Sequence, residues 1–437
     1  MSDDGVGLTL MWKIEPPLED VGGRLALGGA DLSSLADRYG TPLYVTDETR
    51  IRDNFRRFTD AFSRRWSRFR TYYAVKANNN LAIMSILRQE GAGADCSGIH
   101  ELQLASMAKF RVEDMLYTGA YNSDAELEFA SQLGVTVNID DFRILEKLAR
   151  HGMPETISFR INPGFGKAEF DKILCAGSDS KFGIPEPLAK KAYERAKKLG
   201  AKRFGIHMMP GSSVLDAGYF GRVTDKLFQI AESVSEAIGI GFEFVDIGGG
   251  FGVPYRPGEK ELDIERVAKE VTNRFKERFE GSSHAPYLYA EPGRYLVADS
   301  TVLLTRVHAI KVTGKKFVGV DAGMNTLVRP AMYGAYHHMY ACCRPGSRKK
   351  ENVTVVGPIC ENGDVLAKDR EMPVLREGDV IAVLNAGAYG YSMSSNYNSR
   401  PRPAEVLVRC GEDFLIRERE DITDLLDRLR IPGRLLR

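Results

Sequence analysis

The sequence predicts an α/β chain built on a closed (β/α)8 barrel and followed by an all-β domain. Three observations carry that expectation. Eight β-type runs alternate with helix-period segments between about Tyr72 and Tyr289, the texture then changes to close-spaced strands, and chemically versatile residues recur at the ends of the eight runs. At about 150 residues per domain, 437 residues allow two or three domains, each with a sizeable core.

The first 43 residues fit neither pattern and are expected to add strands to the β domain. The barrel candidates follow: Thr71 to Val75, Ala92 to Asp95, Met115 to Thr118, Val135 to Ile139, Thr156 to Ile161, Phe204 to Met208, Phe242 to Ile247 and Tyr287 to Ala290. Between them, segments such as Leu188 to Leu199 place Leu188, Ala189, Ala192, Tyr193, Ala196 and Leu199 on one helical face, with Gly200 as a stop. Phe228, Ala231, Val234 and Ile238 repeat the pattern, as do Val267, Val271 and Phe275. Strand–helix alternation implies a parallel sheet, and eight repeats favour closure over the competing doubly wound sheet. After about Ser300 come Thr301 to Ile310, Phe317 to Val320, Val353 to Val356, Val380 to Leu384 and Glu405 to Val408, broken by Gly, Pro and Asn. The expected division is therefore 1–43, 44–299 and 300–437. Charge clusters at Arg348 to Glu351 and Arg417 to Asp421 read as solvated turns and faces.

Composition excludes several classes of function. With 60 Lys plus Arg against 59 Asp plus Glu the formal charge is +1, which does not suit a nucleic-acid binder. The acidic start lacks the basic and apolar regions of a secretory signal, and no apolar run approaches the roughly 18 residues of a membrane span. A soluble, cytoplasmic protein with no membrane partner is expected. The six cysteines (Cys96, Cys175, Cys342, Cys343, Cys360, Cys410) show no CxxC spacing, so neither a disulfide framework nor a metal site is indicated. Any special cysteine is a reactive thiol.

Barrel chemistry belongs just past the C-terminal ends of the strands, where the sequence places Lys76, Asp95, Gly119, Asn162, His207, the Gly248 triplet and Glu291. Lys76, in Tyr73-Ala74-Val75-Lys76-Ala77-Asn78, is either a solvated lysine or one that loses its proton in an enclosed mouth and forms a Schiff base. The N–H groups of Gly248-Gly249-Gly250 either cradle a phosphate or only make a turn. Glu291-Pro292-Gly293-Arg294 offers a carboxylate that can hold a pyridine nitrogen protonated, with Arg294 and the Gly293 N–H beside it for a phosphate. Lysine, nest and carboxylate at three strand ends together describe a pyridoxal phosphate (PLP) site.

These three motifs, with Gly248-Gly249-Gly250 continuing to Phe251-Gly252, resemble the signatures of the alanine-racemase-like, fold type III PLP decarboxylases. Asp321 to Asn325, Arg329-Pro330-Ala331-Met332-Tyr333, Gly357 to Asp364 and Gly387-Ala388-Tyr389-Gly390 narrow the resemblance to the diaminopimelate decarboxylases. The resemblance runs from about Thr41 to Val408 and implies roles. Lys76 holds PLP, Gly248, Gly249, Gly250, Ser212, Gly293, Arg294 and Tyr389 bind its phosphate, Asp95 touches the cofactor, and Glu291 pairs with the ring nitrogen. Alanine racemase sets an arginine there, so Glu291 argues for decarboxylation. Cys360, otherwise an inert small side chain, becomes the proton donor to the carbanion, supplied across a homodimer with shared sites. Arg329, Tyr333 and Arg294 suit a distal carboxylate, Glu361 suits a distal ammonium, and Tyr389 lies beside the substrate. Ornithine-type enzymes usually carry Asp after the cysteine, so Glu361 with Arg329 favours meso-diaminopimelate, yielding lysine at the end of lysine synthesis. Carboxynorspermidine, ornithine, arginine or a carrier-bound amino acid are alternative substrates, and a catalytically dead relative is an alternative class.

Two segments depart from the family pattern. Met209 stands where the family sets a histidine against the PLP ring, and His207, two positions earlier, is either its substitute or structural. Asp95-Cys96-Ser97-Gly98-Ile99-His100-Glu101 replaces the usual Asp-Val-x-Ser-Gly-Gly-Glu. His337 and His338 read as packing or surface residues.

Overall fold

The computed structural model describes residues 14, 16–168, 176–177, 180–209, 211–347 and 349–436. Cys175, Arg348 and the extreme N-terminus, named above, lie outside the described residues.

Eight parallel strands form the barrel: β1 (Phe69–Ala74), β2 (Gly93–Cys96), β3 (Met115–Tyr117), β4 (Thr136–Ile139), β5 (Thr156–Asn162), β6 (Arg203–His207), β7 (Phe244–Asp246) and β8 (Tyr287–Ala290). Each pairs with the next, and Leu288 of β8 pairs with Phe69 of β1, which closes the ring and excludes the doubly wound alternative. Helices alternate with the strands because their apolar residues recur on one side. In Ala217–Ile238, for example, Leu227, Phe228, Ala231 and Val234 are buried and Gly239 ends the helix in the left-handed region at φ +61°. One expected core residue is not in the core. Leu188 is 42% exposed, because a 3-10 turn at Glu186–Leu188 precedes the helix Ala189–Lys198 and rotates it off the buried face.

The second sheet is organised around the long strand Thr301–Thr313. Its first half pairs with Leu43–Asp47 on one side and Val380–Val383 on the other, and its second half pairs with Lys315–Val320. Leu43–Asp47 also pairs with Ala404–Arg409, so an expected boundary at 43/44 cuts through a strand of this sheet. The three-stranded sheet at 18–31 packs Leu18, Leu25 and Leu27 against Val302, Leu304 and Val380. The Arg417–Asp421 cluster is not merely solvated. Arg417 pairs with the buried Glu405, Arg402 with Glu420, and Arg419 donates 2.8 Å to the Pro42 carbonyl. Among the described residues no helix is long and apolar enough to cross a membrane.

Candidate active site

The C-terminal mouth of the barrel faces the second sheet across a cavity of about 470 Å³. Lys76, His207, Met209, Ser212, Glu291 and Arg294 line it from the barrel, and Arg329, Tyr333 and Tyr389 from the residues that follow.

Lys76 sits on a 3-10 turn, Val75–Ala77, directly after β1. The Tyr73 hydroxyl fixes this turn by donating 2.8 Å to the Asn78 carbonyl. A Cβ on Gly293 would come within 3.0 Å of Ala74 and Ala77, so only glycine lets the 291–294 segment lie this close to the lysine turn. Lys76 Nζ is 2.7 Å from Oδ2 of the fully buried Asp95. Burial opposes the charge on Lys76, but the Asp95 and Glu291 carboxylates outweigh it and raise the lysine above its ordinary pKa. Enclosure therefore raises the Lys76 pKa instead of lowering it, because it brings two carboxylates with it.

Glu291 is the centre of a buried cluster. Burial pushes its carboxyl up, but His207, Lys76 and Asp246 outweigh burial and bring it down to about 2. Asp246 moves the other way: burial first, then the Glu291 charge, push its carboxyl well above the carboxylate range. His207 Nε2 lies 3.2 Å from Glu291 Oε2, which makes His207 a support of the carboxylate. The ligand atoms of His207, Asp246 and Glu291 all lie within 4.8 Å of one another, already engaged with each other. Glu291 Oε1 is buried with no hydrogen-bond partner among the described residues. An ionised oxygen in that state is an acceptor lacking its donor.

The glycine triplet only partly serves as a nest. The Gly248 N–H donates 2.8 Å to Asp246 Oδ1 and the Gly249 N–H points 3.0 Å to Met209 Sδ, so both donors are committed within the protein. Gly248 is glycine for another reason: at φ +68° a Cβ would lie 2.4 Å from the Met208 carbonyl. Gly250, with Ser212, Ser213, Gly293 and Arg294, borders a small hollow of about 20 Å³ beside Lys76, and Met209 lines both the hollow and the cavity. The Arg294 guanidinium lies 4.9 Å from the Tyr389 ring centroid. Tyr389 itself is held at φ +57° while its N–H donates 2.8 Å to the Ala77 carbonyl, a strained residue tied to the lysine turn.

Arg329 opens the five-residue helix Arg329–Tyr333 and is 1% exposed. Cys360 and Glu361 do not line the cavity; both are exposed on the turn 357–364. That turn is nonetheless fixed. The Asp364 carboxylate accepts from Ile359 N at 2.7 Å and Met324 N at 2.6 Å, and Cys360 N donates 2.7 Å to Asn398 Oδ1.

Asn162 does not reach the cavity: its side chain braces the following loop through Gly164, Gly177 and Phe182. Asp140 and Arg160, which do line it, went unremarked in the sequence. Asp140 directly follows β4, where the strand-end rule that found Lys76 points, whereas Arg160 lies within β5, which that rule does not reach. Burial pushes Asp140 up to about 6 against the pull of Arg160.

Residues 48–298 match the family described as "Pyridoxal-dependent decarboxylase, pyridoxal binding domain". A diaminopimelate decarboxylase of Methanothermobacter thermautotrophicus is 49% identical over 95% of this chain and 97% of its own. A second, from Archaeoglobus fulgidus, is 42% identical over 95% and 99%. The crystal structure of the Methanocaldococcus jannaschii diaminopimelate decarboxylase with L-lysine superposes with a TM-score of 0.88, at 34% identity, over 96% of this chain and 98% of that one.

Proposed function

The chain belongs to the pyridoxal-dependent decarboxylases, and from that premise we propose that it removes carbon dioxide from meso-2,6-diaminopimelate and leaves L-lysine, closing a route of lysine synthesis. The observation that carries this reading is the convergence of Lys76, the orphaned Oε1 of Glu291 and the buried guanidinium of Arg329 on one cavity.

The residues fit PLP. Lys76 Nζ is the amine that would hold the cofactor covalently, with Asp95 orienting it. Oε1 of the ionised Glu291 would accept a protonated ring nitrogen, and His207 and Asp246 keep that carboxylate charged. Ser212, Gly250, Gly293, Arg294 and Tyr389 would surround the phosphate, with Gly248 and Gly249 shaping the turn behind them. When bound, PLP supplies an electron-poor ring that accepts the electron pair left by carbon dioxide. Met209 is the cavity-wall residue that would pack on a ring face, through a polarizable sulfur that carries no charge. Arg329, Tyr333 and Arg294 hold the carboxylate at the far end of the substrate.

The remaining groups come from a second copy of the chain. Cys360 Sγ delivers the proton that replaces carbon dioxide, taking one back from solvent, and Glu361 receives the distal ammonium. Two observations support a homodimer with shared sites: this pair is exposed on a braced turn away from its own cavity, and Ile422, Leu426, Leu429, Ile431, Leu435 and Leu436 leave an apolar tail exposed. We place the reaction in the cytoplasm, since its substrate and product are small polar amino acids.

The direct test is carbon dioxide release and L-lysine formation from meso-diaminopimelate with added PLP, beside ornithine, arginine and carboxynorspermidine. Turnover confined to diaminopimelate is expected. Turnover of a substrate without a distal carboxylate, with none of diaminopimelate, would overturn the substrate.

A further inference from the structure

Arg329 is a buried cation at the edge of the substrate cavity, and two side chains outside the sequence-derived site hold it. The Tyr255 hydroxyl accepts from Arg329 Nη1 at 2.8 Å and from Arg294 Nη1 at 2.7 Å, joining both arginines through one oxygen. Its ring lies 4.8 Å from the Arg329 guanidinium. On the other side, His337 Nε2 is 3.2 Å from Arg329 Nη1. The opposite ring nitrogen, His337 Nδ1, is 2.8 Å from the Leu384 carbonyl. A carbonyl only accepts, so Nδ1 carries the hydrogen and Nε2 presents a lone pair to the arginine. Burial, then the Arg329 charge, keep the imidazole neutral at physiological pH, which preserves that lone pair. The histidine is itself locked: it is fully buried and its ring meets Tyr255 edge-on at 5.3 Å.

We infer that Tyr255 and His337 are positioning residues that aim the Arg329 guanidinium, and with it the preference for a substrate whose far end carries a carboxylate. Both accept from the same nitrogen, Nη1, and neither neutralises the charge. A hydroxyl oxygen and an imidazole lone pair on one nitrogen fix the plane of the guanidinium and bring no charge of their own. This inference rests on the reading of Arg329 as the distal-carboxylate residue.

The product separates the two ideas. L-lysine keeps the distal carboxylate, whereas 1,5-diaminopentane has the same chain and both amines without it. Binding of each to the PLP-loaded protein is measured for the wild type, Tyr255→Phe, His337→Phe and His337→Gln, with melting temperature and the absorbance of the lysine-bound cofactor as controls on folding and loading. The wild type is expected to prefer L-lysine. Both Phe variants should bind L-lysine about 10- to 100-fold more weakly while binding of diaminopentane is unchanged, and His337→Gln, which retains an acceptor, should recover most of the loss. KM for diaminopimelate should rise in parallel, with kcat changing far less. An unchanged lysine-to-diaminopentane ratio in the Phe variants overturns the inference; if His337→Phe does not fold, Tyr255→Phe, which removes a single atom, decides it. A wild type without preference for L-lysine removes the reading of Arg329, and the inference with it.

Discussion

The buried cluster at the barrel mouth and the exposed turn at 357–364 are opposites in the same protein. Around Glu291, polar groups are removed from water and set against one another: Lys76 against Asp95, and Glu291 beside His207 and Asp246, whose carboxyl burial pushes up. On the turn, Cys360 and Glu361 face solvent, yet the Asp364 carboxylate holds the neighbouring Ile359 and Met324 N–H groups and Asn398 holds the Cys360 N–H. The cluster is pre-organised to hold something that brings its own proton and phosphate. On the proposed reading the turn is presented to a second copy of the chain, and that division of the site can be tested from either half.

The largest effect is expected at the buried half. Lys76→Ala should abolish the absorbance of lysine-bound PLP and reduce turnover by at least about 10³-fold, and a variant that keeps the band would refute the covalent role. Cys360→Ala should slow turnover by about 10²- to 10⁴-fold with the band intact. Mixing these two inactive variants sharpens the comparison, because hybrid dimers carry one site with both residues native. Recovery of up to about a quarter of wild-type activity is expected on statistical exchange, and no recovery would argue that each chain builds its own site. Asp364→Ala should remove the acceptor for two backbone N–H groups under the turn and cost about 2–4 kcal/mol, read as a lower denaturant midpoint.

The last effect is on pH dependence. Burial and the Arg329 charge lower the His337 pKa from 6.5 to about 3, so the unfolded chain binds a proton there that the native state refuses. Stability from this group is complete above pH 6.5 and is lost as pH falls toward 3, at about 1.4 kcal/mol per pH unit. His337→Phe should flatten that slope between pH 6.5 and 4.5; an identical slope would mean that the imidazole is already charged in the native protein.

Much of this architecture was legible in the chain. Period-2 and period-3.6 patterning depends only on neighbours in sequence, and so all eight barrel strands could be placed, with their ends marking Lys76, Asp95 and Glu291. Motif order carried the family resemblance for the same reason. Tertiary structure alone decided the rest, because pKa values and hydrogen-bond commitments depend on groups brought together from distant positions. Nothing near Lys76 in sequence shows that two carboxylates will hold its proton. Nothing in Gly248-Gly249-Gly250 shows that Asp246 and Met209 will take two of its N–H groups. His337 looked like packing because its partners, Arg329 and Leu384, meet it only in the fold. Sequence determined which residues stand at the mouth of the barrel; three-dimensional proximity determined which of them are charged, which are already engaged, and which remain open to a ligand.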